Sequence, residues 1–138
     1  MTEVFFYLSK TEGDNTLFTL TRRLAQAACQ RQRQVYIHCA DAAQCQQLDD
    51  FLWQQPPTSF LPHAQADTGR APVLLGWQEV PPHCHDVLIN LATEVPDFFS
   101  RFERLAEPVG AQENERTAAR QRWSFYQSRG YQVQKHDI

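Results

Sequence analysis

The sequence predicts an α/β domain built on a mostly parallel sheet with helices on both faces. Three observations carry this. Short, largely apolar runs recur at residues 4–8, 35–37, 72–77 and 86–91, as expected of strands buried on both sides. Segments with helical periodicity alternate with them, which favours parallel pairing with crossover helices. The chain has 138 residues, 42% of them hydrophobic and 12% aromatic, enough for one domain with its own core and too apolar for disorder. No repeat, low-complexity tract or linker interrupts it, so residues 1–138 are read as a single domain.

Taken in order, Val4-Phe5-Phe6-Tyr7-Leu8 reads as a buried strand. Residues 16–31 read as a helix, with Leu17, Leu20, Leu24 and Ala28 along one face. Val35-Tyr36-Ile37 is a second strand. Asp41 can cap the next helix, with Gln44 placed to reach back to the cap. That helix turns Cys45, Leu48 and Leu52 inward and ends at Pro56-Pro57, since proline cannot continue the hydrogen-bond ladder. Residues 58–71 read as a loop. Residues 72–77 and 86–91 are the third and fourth strands, 98–105 a short helix, and 107–109 a brief strand. Residues 113–129 form the last helix, stopped by Gly130, and 131–133 a possible edge strand.

Charge is unevenly distributed. The stretch from Arg116 to Lys135 holds five basic residues (Arg116, Arg120, Arg122, Arg129, Lys135) and no acidic one. The chain as a whole carries −3, so the remainder carries −8. An acidic body with a basic end suggests a negatively charged contact at that end. The four cysteines form no C-x-x-C pair and read as reduced, mostly buried thiols. No apolar run approaches membrane-spanning length, and no basic n-region marks a secretory signal, so a soluble cytoplasmic protein is expected.

The sites where such a sheet would carry chemistry are poorly equipped for it. The turn after the first strand, Ser9-Lys10-Thr11-Glu12-Gly13-Asp14-Asn15-Thr16, has one glycine, flanked by two acids. A phosphate cradle needs several glycines, so that backbone N–H groups can approach the oxygens. No phosphate-binding loop is therefore expected, and no cofactor. His83-Cys84-His85-Asp86 has metal-ligand residue types, but neighbours in an extended segment point to opposite sides and no second ligand pair is evident. It reads as a loop before a strand, with no metal. His38-Cys39, at the carboxyl end of the second strand, sits where open α/β sheets place their sites. Adjacent strand positions diverge, so the two cannot form a nucleophile–base pair. No catalytic residue is assigned.

Two surfaces look built for docking instead. On the last helix, Ala119, Trp123 and Tyr126 form the expected core face, while Arg116, Arg120 and Ser124 stack along its flank. Two guanidinium groups beside an aromatic wall suit an acidic peptide with an apolar end. A solvated basic flank over a core tryptophan is the simpler reading of the same pattern. The second surface surrounds Trp53, which helix geometry turns roughly 100° away from the inward stripe, close to Pro56, Phe60 and Pro62. Exposed aromatics beside rigid prolines suit a partner anchor; a tryptophan closing the edge of the core is the alternative.

Across nearly its whole length the sequence resembles the chi subunit family of bacterial DNA polymerase III. The carriers are Phe6-Tyr7-Leu8, Leu52-Trp53 with Pro56, Ser59-Phe60-x-Pro62-His63, Ala71-Pro72-Val73, residues 86–91, residues 98–102, Arg120-x-Arg122 and Gly130-Tyr131. The resemblance implies a three-layer, Rossmann-like fold without a working nucleotide site. It implies a non-catalytic adaptor that joins the clamp loader through the psi subunit. The same adaptor would hold the acidic, apolar-ended C-terminal tail of single-stranded DNA-binding protein. Some family members pair instead with a DinG-like helicase, through the surface that meets psi. By position, Val109, Arg116, Arg120, Trp123 and Ser124 would form the tail site. Trp53, Pro56, Phe60 and Pro62 would form the psi or helicase surface. Trp123 stands where the better-known relative has tyrosine, and Ser124 where it has a lysine important for the tail; a weaker or altered tail contact follows. A nucleotide- or metal-dependent enzyme and a direct DNA binder are the competing readings, the first opposed by the glycine-poor turn and the second by the net negative charge.

Overall fold

The computed structural model describes residues 1–10, 16–56, 61–66, 71–78 and 80–137. Among them, seven strands and three α-helices follow in the order β1 (Glu3–Leu8), α1 (Thr16–Gln30), β2 (Val35–His38), α2 (Ala42–Trp53), β3 (His63–Gln65), β4 (Val73–Gly76), β5 (Val87–Asn90), β6 (Arg104–Val109), α3 (Glu113–Ser128) and β7 (Val133–Asp137). The strands form one sheet in the order β3-β4-β2-β5-β6-β1-β7. Every pairing is parallel, so the expected mostly parallel sheet is wholly so. The fold is Rossmann-like, with three layers.

Strand alternation divides the core in two. Val35 and Ile37 of β2 face α1 and α2, together with Ile89, Leu48 and Leu52. Tyr36 faces the α3 side with Phe6, Leu88, Leu105 and Tyr126. The central strands β4 and β5 are buried at every position, which explains why they read as largely apolar runs. Asp41 caps α2 as expected, its Oδ1 accepting from the Gln44 backbone N–H at 2.8 Å. Gln44 returns one residue further, its Oε1 accepting from the Ala40 N–H at 2.7 Å. Gly130, at φ 86°, takes the left-handed conformation that ends α3.

Three expectations are corrected. The segment read as a loop contains β3. Its residues His63, Ala64 and Gln65 have no apolar periodicity; pairing with β4 makes the strand. The buried His63 ring anchors it, with Nδ1 2.7 Å from the Leu61 carbonyl and Nε2 3.2 Å from Asp49 Oδ1. The helix expected at 98–105 is one 3-10 turn, Phe99–Arg101, and residues 104–109 form a full strand. The strand expected at 107–109 is its second half; the missed part is Arg104–Ala106, where Leu105 and Ala106 continue the apolar run that read as a helix. Glu107 is neutralised from α3, and Pro108 lies past Ala106, where the pairing with β5 ends. The edge strand expected at 131–133 is Val133–Asp137, largely exposed and so without an alternating signature.

Candidate functional site

The basic end of the chain converges on a cleft between α3 and the sheet edge made by β1 and β7. The cleft encloses about 460 Å³. Its apolar wall is Phe6 and Leu8 of β1 with Ala119 and Trp123 of α3. Phe6 and Trp123 lie 5.2 Å apart between ring centroids, tilted by 52°, so the indole is half-buried against the sheet with its outer edge open. Arg116, Arg120 and Ser124 stand on the α3 side. Arg116 is fixed there, its Nη2 donating to the Ser9 carbonyl at 3.0 Å. Arg120 is freer: its Nη1 lies 3.2 Å from Glu113 Oε1, an ion pair with both side chains largely exposed.

The sheet side contributes a cation that reading the helix alone missed. Lys135 of β7 lines the same cleft. It pairs in register with Phe6 of β1, so its side chain emerges on the face that carries Phe6 and Leu8. The signal was present as a lysine two residues beyond Val133. It became legible only once the β1–β7 register was known.

A buried polar network holds α3 against the sheet. Glu107 of β6 is fully buried. Its Oε1 accepts from Arg122 Nε at 3.1 Å, and its Oε2 from the Tyr126 hydroxyl at 2.6 Å. Asn90 Nδ2 donates to both carboxylate oxygens, at 3.2 and 3.1 Å. Arg122 also donates to the Thr93 carbonyl at 3.0 Å. Burial pushes the Glu107 carboxyl up from the usual carboxylate range, against the pull of Arg122 and the hydrogen bonds. The same burial, with Glu107 beside it, pushes the Tyr126 hydroxyl up. This corrects the expected core face of α3: Ala119, Arg122 and Tyr126 are buried, and Trp123 sits at the margin. Arg122 is therefore committed inward and adds no charge to the cleft.

Of the five residues expected at this site, Arg116, Arg120, Trp123 and Ser124 come together. Val109 does not line the cleft. It is buried on β6, paired with Leu8, within the core behind that wall. On the second surface, Trp53 is 61% exposed at the end of α2 and packs one face on His63, 5.1 Å between centroids. Pro56 and Pro62 are also exposed, and Phe60 lies outside the described residues.

Residues 11–15, which hold the acids of the first turn, lie outside the described residues. Cys39 is buried on the α1–α2 side and hydrogen-bonds Cys45, which together with burial pushes its thiol up. His38 points to the opposite face, edge-on to Phe98 at 5.0 Å, and burial lowers its pKa. Cys84 is buried, its thiol pushed up to about 11 chiefly by burial, and donates to Gln34 Oε1 at 3.6 Å. Asp86 Oδ2 accepts from the Gln34 N–H at 3.0 Å, tying the segment to the start of β2, while His83 is exposed. Among the described residues no three acids, cysteines or histidines converge as metal ligands.

This fold and the position of the basic cleft can be set beside known proteins. A family model described as "DNA polymerase III chi subunit, HolC" matches residues 1–134. The chain belongs to this family. A chi subunit of Pseudomonas aeruginosa is 41% identical over 139 residues, covering 100% of this chain and 98% of its own. The Escherichia coli chi subunit is 29% identical, covering 94% and 92%. That of Haemophilus influenzae is 27% identical, covering 96% and 95%. Chi is by name a subunit of a replicative DNA polymerase, and the α/β architecture agrees with the fold expected of the family. No helix among the described residues is long and apolar enough to cross a membrane.

Proposed function

We propose that this chi-family chain is a non-catalytic adaptor of the DNA polymerase III holoenzyme, acting in the cytoplasm. It links the clamp loader, through psi, to the acidic tail of single-stranded DNA-binding protein. The observation that carries the reading is the α3 cleft. Arg116 and Arg120 stand beside the open edge of Trp123 over an apolar floor, which matches an acidic peptide with an apolar end: carboxylates to the guanidiniums, the terminal side chain against the indole. Trp53, exposed at the end of α2, with Pro56 and Pro62 also exposed, supports a second docking face for psi or for a DinG-like helicase. The net charge of −3 argues against binding naked DNA directly.

Calorimetric titration with an aspartate-rich peptide ending in a free phenylalanine tests the tail site. Binding is expected, weakening as salt rises, because exposed charge contacts are screened over about 10 Å at 0.1 M ionic strength. Arg120→Ala should cost about 1–3 kcal/mol of binding free energy. No binding at low salt would sink the reading.

A further inference from the structure

We infer that Lys135 is a specificity-determining cation of the α3 cleft, contributed by the sheet rather than the helix; the inference rests on the acidic-peptide reading of that cleft. The argument is one of charge and place. Of the five basic residues between 116 and 135, Arg122 is spent on buried Glu107. Arg129 lies over the Phe125 ring, 4.9 Å from its centroid, and does not line the cleft. Arg116 is held by the Ser9 carbonyl and Arg120 pairs with Glu113. Lys135 is exposed and lines the cleft, and its side chain makes no hydrogen bond or ion pair among the described residues. A third cation is thus held ready on the wall facing Arg116 and Arg120.

The placement is fixed by backbone rather than by side-chain packing. Parallel pairing of Val4 with Val133 and of Phe6 with Lys135 turns these four residues to the α3 face. A peptide resting on Phe6 and Trp123 then lies between arginines on one side and an ammonium on the other. On the helix, Ser124 offers only a hydroxyl at the cleft rim. Lys135 supplies from β7 the charge that Ser124 lacks. A peptide with carboxylates along both edges is thereby preferred over one with carboxylates on the helix side alone.

The test uses the full chain and the same aspartate-rich peptide ending in phenylalanine. Lys135→Gln should weaken binding about three- to tenfold at low salt and flatten its salt dependence, with the fold unchanged by circular dichroism. Lys135→Arg should retain affinity. Ser124→Lys, added to Lys135→Gln, should restore much of it by returning a cation to the same cleft. If the wild type binds, Arg120→Ala weakens it and Lys135→Gln does not, the inference fails while the cleft reading stands. If neither wild type nor any variant binds, the cleft reading falls and this inference falls with it.

Discussion

Arg122 Nε lies 3.1 Å from Glu107 Oε1 at a point where both side chains are almost wholly withdrawn from solvent. The pair joins the middle of β6 to the inward face of α3, and Tyr126 and Asn90 complete the carboxylate's hydrogen bonding. Taking such charges out of water is costly, and only complete pairing offsets the cost. Removing one partner is therefore far worse than softening the other. Arg122→Ala should destabilise the protein by about 3–5 kcal/mol in urea or guanidinium unfolding. Adding Glu107→Gln to that variant should recover part of the loss, because no uncompensated charge then remains buried. An additive double variant would show that the two residues act separately.

His38 should make stability pH-dependent. Burial lowers its folded-state pKa below the ordinary histidine value of 6.5, and its Nδ1 is buried without a hydrogen-bond partner among the described residues. The unfolded chain then binds the proton more readily than the folded one. The contribution is fully present above pH 6.5 and is lost as pH falls through that value toward the folded pKa. Denaturation midpoints of the wild type should fall from pH 7.5 to pH 5 by more than those of His38→Phe. Equal falls in both would remove His38 as the source.

Glu113 competes with any acidic ligand for Arg120. Their ion pair is largely exposed, so it contributes little to the fold, on the order of 0–1 kcal/mol. A peptide carboxylate must displace it. Glu113→Gln should leave unfolding nearly unchanged and tighten binding of the acidic peptide by up to about fivefold. Weaker binding by this variant would mean that Glu113 orients Arg120 rather than blocking it.

Trp53 should separate folding from assembly. It is 61% exposed, and its ring packs against His63. Trp53→Ala should cost less than about 1 kcal/mol of stability. It should nevertheless abolish co-purification with psi, or with the helicase in its place, and leave the acidic-peptide titration untouched. A variant that keeps its partner would move that interface elsewhere.

The sequence made some layers of this molecule plain and hid others for physical reasons. Val73–Gly76 and Val87–Asn90 were visible because strands buried on both faces are mostly apolar, buried Asn90 being the polar exception. β6 was legible only in its second half, 107–109; Arg104–Ala106 merged with the preceding apolar run, and the pairing of Glu107 with Arg122, fifteen residues later, left no local signal. Arg122 looked like one more member of a basic helix flank; only the core shows that it faces inward. Arg116, Arg120, Trp123 and Ser124 were legible as a set because helical spacing brings them together. Lys135 joins them through the pairing of two strands more than a hundred residues apart, a relation that no local spacing encodes.

The same pairing has a consequence for how the molecule comes into being. β1 is made long before β6 and β7, yet these are its neighbours in the sheet. Thr2 Oγ1 donates to the Phe102 carbonyl across a separation of 100 residues. At synthesis rates of about 5–20 residues per second, β1 waits roughly 5–20 s on the ribosome before β6 exists to receive it. Its run of Phe5, Phe6, Tyr7 and Leu8 stays unpaired for that time, a sticky edge awaiting its match. Such distant contacts also slow closure of the sheet after release. Phe6 of the cleft floor is thus made well over a hundred residues before Lys135 of the facing wall, so a nascent chain cannot present the complete cleft until β7 has been made.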